Sequence, residues 1–162
     1  MRIFRLFLFV FVTSSAALGA PRGVLENITK IQVDPTVVEH PDKIDDEIAP
    51  SLVRYNLRAA IHSAHIEEGV SPVHAHIVLD GFSSESTTRK VLLDMGSGQD
   101  LCTVDGRLVI VDAGGKELAN IKIHVHGRAV FADAEANPVF ADGRNPTSDL
   151  ERRLLREIEA LK

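Results

Sequence analysis

The chain has 162 residues, of which 44% are hydrophobic and 25% charged, and a formal net charge of −5. This mildly acidic balance, with no Arg/Lys run interleaved with aromatics, argues against nucleic acid or anionic membrane surfaces as partners. Cys102 is the single cysteine, so no internal disulfide can form and stability has to come from an apolar core.

Met1 to Ala20 reads MRIFRLFLFVFVTSSAALGA. Arg2 and Arg5, the apolar run from Leu6 to Val12 and the small-residue tail form the pattern of a secretory signal peptide. The best small-x-small match, Ala17-Leu18-Gly19, predicts cleavage before Ala20. The apolar run is far shorter than the roughly 20 residues that span a bilayer, so no transmembrane segment is expected after cleavage. No cysteine lies near the cut, and a soluble, non-lipidated periplasmic or extracellular product is expected. Removal of residues 1–19 takes away two arginines and no acid, leaving 143 residues with a net charge of −7. That is one domain, expected over residues 28–162 after a disordered lead-in at 20–27.

ITKIQVDP reads as a short strand with Thr29, Ile31 and Val33 on one face, stopped by Asp34-Pro35. A polar loop through Asp46 leads into a helix within IAPSLVRYNLRAAIHSAHIEEG, where Leu52, Tyr55 and Ala59, widened by Val53, Leu57, Ala60 and Ala64, form one broad stripe. Pro50 suits its first turn and Gly69 the residue past its end. SPVHAHIVLDGF is a half-buried strand, with Val73, Ala75, Ile77 and Leu79 on one face and His74, His76, Val78 and Asp80 on the other. A long polar excursion follows, with a short strand expected around Val91 to Leu93.

The strongest supersecondary signal is DLCTVDGRLVIVDAGGKELANIKIHVHGR. A two-residue turn at Gly114-Gly115 pairs Ile110 with Ala119, Leu108 with Ile121, Gly106 with Ile123 and Val104 with Val125 on an apolar face. The other face then pairs Val109 with Asn120, Arg107 with Lys122, Asp105 with His124 and Thr103 with His126. Val130-Phe131-Ala132-Asp133 is echoed at Val139-Phe140-Ala141-Asp142, a match too short to signify a repeat. A closing helix begins at a capping box formed by Ser148 and Glu151 and carries the stripe Leu150, Leu154, Leu155, Ile158 and Leu161. Two one-sided helices and a one-sided sheet predict an α+β two-layer sandwich, an antiparallel sheet of about four strands with both helices on one face.

The second sheet face then carries two His-x-His pairs. Residues at i and i+2 of a strand point the same way about 7 Å apart, so His74 and His76, or His124 and His126, could ligate one metal. If the two strands adjoin, the four histidines share a patch with Asp105, suited to zinc, copper or nickel. The competing readings are a wet polar face, or a protein-interface or pH-responsive face, histidine being the side chain that changes charge around physiological pH. His40, His62 and His65 read as surface residues, and Cys102 as a small buried side chain in a strand. MGSGQ has neither the spacing of a nucleophile elbow nor the Lys-Ser/Thr of a phosphate loop. Asp42, Asp45, Asp46 and Glu47 lack the alternation of a calcium loop. Nothing assembles a nucleophile, base and oxyanion hole, so no enzymatic activity is expected.

The run LDMGSGQDLCTVDGRLVIVDAGGKELANI resembles a family of small exported bacterial envelope proteins, mostly lipoproteins, classed as a domain of unknown function. Gly96, Gly98, Val111-Asp112-Ala113, Gly115, Leu118 and Ala119 carry the resemblance. Two departures are the missing lipidation cysteine and Gly114 where that family usually has Thr. The resemblance implies an envelope location and an α+β fold, and supplies no catalytic residue. The expected function is therefore a non-enzymatic exported binding or assembly module, acting on an envelope protein partner or as a homo-oligomer. The alternative is a metal-binding protein using the two histidine pairs.

Overall fold

The computed structural model describes residues 23–84, 99–130 and 148–162. The expected signal segment, the excursion through residues 85–98 with its short strand, and both Val-Phe-Ala-Asp segments apart from Val130 lie outside them. The described elements are β1 (Lys30–Val33), β2 (Val37–Val38), a 3-10 turn (Pro41–Lys43), α1 (Ala49–Ser63), β3 (Glu67–Glu68), β4 (His74–Ser84), β5 (Gln99–Val111), β6 (Glu117–Val130) and α2 (Asp149–Ala160).

The architecture is the expected α+β one, with α1 packed on β4, β3 and β1, and α2 packed on α1 and β6. The sheet is mixed rather than purely antiparallel. Its six strands run β3-β1-β4-β5-β6, and β2 pairs with β4 beside that path. β4, β5 and β6 are antiparallel, whereas β1 is parallel to both β3 and β4, and β2 is parallel to β4. The parallel pairs follow from α1, which carries the chain back across the sheet between β1 and β4. The core between the layers gathers Ile31 and Val33 from β1, Leu52, Val53, Leu57 and Ile61 from α1, Ala75, Ile77, Leu79 and Phe82 from β4, and Leu150, Leu154 and Ile158 from α2. Cys102 is buried among them. Leu25, in the stretch expected to lead in, is also in this core, and its amide donates to the Leu161 carbonyl.

Along the β5–β6 hairpin the register is the one the apolar pattern demands, Thr103 opposite His126 through Ile110 opposite Ala119. The tip differs. Asp112 N–H donates to the Lys116 carbonyl and Gly115 N–H to the Asp112 carbonyl, and Gly115 has φ +76°, so the loop has three residues, Ala113 to Gly115. The Asp112 carboxylate accepts from the Gly114 and Lys116 amides. A shift between Ile110 and Val111 absorbs the extra residue, with Val111 opposite Glu117.

α1 ends at Ser63, earlier than the Gly69 stop expected. His65 takes φ +59°, its amide donates to the His62 carbonyl and the Ile66 amide to the Ile61 carbonyl. This is a Schellman closure in which buried Ile66 supplies the apolar contact, with histidine in the place usually held by glycine.

Candidate functional site

Both helices lie on one side of the sheet, so the opposite face of β4, β5 and β6 is the candidate surface. Alternation along β4 sends His74 and His76 to it, and along β6 it sends His124 and His126 there. Val78 and Val109 also stand on this face and are nonetheless buried.

β5 separates the two histidine strands. His76 lies opposite Val109 and His124 opposite Asp105, which sets the pairs roughly 13 Å apart along β5 and about 10 Å across it. Ligand bonds near 2 Å cannot span that gap, so the four histidines do not form one patch. Among the described residues, no group of three or more His, Cys, Asp or Glu is arranged to hold a metal ion.

Each pair has its own partners instead. The His124 Nδ1–H donates to the Asp105 carboxylate at 2.6 Å. His126 Nδ1 and the Thr103 hydroxyl are 2.9 Å apart, as expected of opposite residues. At the other end of the sheet, His74 Nδ1 donates to Asp34 Oδ2 at 2.9 Å, and Gln32 Nε2 donates to Oδ1 at 3.0 Å. Burial acts to raise the Asp34 carboxyl, but the bonds from Gln32 and His74 outweigh it and hold it below its ordinary value. A depressed carboxylate stabilises the fold above its unfolded pKa, near 4, and loses that contribution as pH falls through the folded value. The stability gap between the wild type and Asp34→Asn, read from urea midpoints, should therefore be full at pH 6 and shrink below about pH 4. A gap unchanged from pH 6 to pH 3 would mean that the pairing contributes nothing.

A third cluster on this face escaped sequence reasoning. β2 lays Glu39 beside Asp80, and Arg107 bonds Glu39 and lies 3.7 Å from Asp80. A hydrogen bond from Asp80, and then Arg107, hold the Glu39 carboxyl down. Burial first, and then the bond it donates to Glu39, push the Asp80 carboxyl up. Such a split pair is what acid–base chemistry uses, but Glu39 is 44% exposed on an open sheet. A two-residue strand such as β2 is too short to leave a period in the sequence, so nothing there pairs Glu39 with Asp80.

A two-layer α+β domain whose helices, among the described residues, cover one sheet face and leave the histidine-bearing face to other partners is the class these observations define. No protein-family model and no curated protein matches the chain. Among solved structures it is similar to a dodecamer of a single-residue variant of PelC from Paraburkholderia phytofirmans, at 7% identity over 88% of this chain and 91% of that one, with a TM-score of 0.51. It also aligns with the minor lipoprotein from Acinetobacter baumannii at 8% identity over 82% and 93%, with a TM-score of 0.38. The first likeness is one of fold alone, and the second is too low to carry weight. Among the described residues no helix is long and apolar enough to cross a membrane.

Proposed function

We propose that the protein is an exported, non-enzymatic assembly module that associates with copies of itself or with an envelope protein through the open face of its sheet. The observation that carries this reading is the one-sided packing of both helices, which leaves His76, Asp80, Asp105 and Arg107 on a face that neither helix covers. The fold it shares with PelC, a protein whose structure is a dodecamer, supports self-association. The signal-like segment at residues 1–19 and the resemblance to exported envelope proteins support export.

Light scattering on the size-exclusion peak tests assembly. A mass several times that of one chain, falling on dilution and lost in Arg107→Glu, is expected; a strict monomer at high concentration would remove self-association. Fractionation with N-terminal sequencing should find the protein in the periplasm or medium, beginning at Ala20. A metal-binding function through His74, His76, His124 and His126 with Asp105 is the second reading, and the strand order gives a joint site no support. Zinc and copper titration of the His124→Ala/His126→Ala variant beside the wild type tests it.

A further inference from the structure

Where α2 runs beside β6, a groove of about 310 Å³ is lined by His124, His126, Asp149, Arg152, Arg153 and Arg156. Three arginines and two histidines face a single lining carboxylate in a chain whose net charge is −5. Asp149 pairs with Arg152, and Glu157 pairs with Arg153 at 2.8 Å. Arg156 makes no ion pair among the described residues, and Arg153 Nε is buried among them without a hydrogen-bond partner. Arg152 and Arg156, four residues apart, stand on one helix face, where like charges repel. Asp149 already offsets part of that repulsion through Arg152, and an oxyanion beside Arg156 removes the rest while accepting paired guanidinium bonds.

We propose that this groove binds a small oxyanionic ligand, a phosphate or a carboxylate, held in the forks of Arg152 and Arg156 with the histidines of β6 on the opposite wall. Its volume is at the lower end of the range of small-molecule sites. Self-association is not required, so failure of the assembly reading leaves this one standing.

The test is amide NMR titration of the full mature chain with inorganic phosphate and, separately, with acetate, at constant ionic strength. At least one probe should saturate in the millimolar range, with shifts centred on residues 124–126 and 152–156, and the better probe tells phosphate from carboxylate. Arg152→Gln/Arg156→Gln should weaken that probe at least tenfold, while Arg58→Gln, paired with Glu68 away from the groove, should leave it unchanged. If the double variant does not fold, Arg156→Lys replaces it and should weaken binding about threefold, because charge survives and the fork does not. Absence of saturation with both probes, shifts centred elsewhere, or unchanged affinity in the variants would overturn the proposal.

Discussion

Gly106→Ala is expected to destabilise the protein by about 3 kcal/mol and to lower Tm by roughly 10 °C. Gly106 faces the core from the middle of β5, opposite Leu79 and Ile123. A Cβ there would meet the Val78 carbonyl oxygen at 2.4 Å and the Leu79 Cα at 3.4 Å, and both are backbone atoms that no rotamer change can move. The close approach has a cause. Leu79 and Phe82 are both buried although three residues apart, and strict alternation would send them to opposite faces. An irregularity between Leu79 and Gly81 takes up Asp80 as the extra residue, returns Phe82 to the core and draws β4 against β5 at Gly106. The control is Gly69→Ala, where the new Cβ would meet only the flexible Lys30 side chain at 3.3 Å. Its urea midpoint should move little. Equal losses in the two variants would mean that helix or strand propensity, not the backbone contact, sets the effect.

Local pattern was readable wherever burial enforced it. The β5–β6 register followed from the apolar face, because a one-residue slip would have put Leu108 and Ile110 in water. The tip did not follow, since Gly114-Gly115 satisfies a two-residue or a three-residue loop equally, and the choice fell to the Asp112 carboxylate that caps it. The end of α1 was hidden because histidine, not glycine, takes the left-handed position, and the deciding contact is the burial of Ile66. The placing of both histidine pairs on one face was legible from alternation alone. Their separation was not, because strand order is a property of the whole sheet. The groove beside β6 joins residues 124–126 to residues 149–156, and no sequence spacing records that meeting of an edge strand with a helix. Its one local trace is Arg152-Arg153 with Arg156, a pattern that also suits an ordinary solvated helix face.

The second large effect should come from Ser148→Ala, which is expected to cost about 3 kcal/mol and to weaken the groove with it. Ser148 is 0% exposed at the N-cap of α2, where its hydroxyl oxygen accepts from the Glu151 amide at 2.9 Å. The same hydroxyl donates to Asn56 Oδ1, and Asn56, 1% exposed in α1, passes its own amide to the Leu52 carbonyl at 2.8 Å. The capping box expected from Ser148 and Glu151 is present in its N-cap half, while the buried Glu151 carboxylate accepts from Ser63 Oγ of α1 at 3.2 Å. Loss of a cap alone accounts for about 1 kcal/mol; the remainder is the buried Asn56 oxygen left without its donor. The two contributions can be separated by a double-mutant cycle. Asn56→Ala in the Ser148→Ala background should cost less than in the wild type by at least about 1 kcal/mol, because the stranded oxygen has already gone. Additive losses would place the whole effect in the cap and remove Asn56 from the account. Because these bonds hold the first turn of α2 against α1, and α2 carries Arg152 and Arg156, coupled losses together with weaker phosphate binding by Ser148→Ala would make this buried polar link the support on which the groove depends.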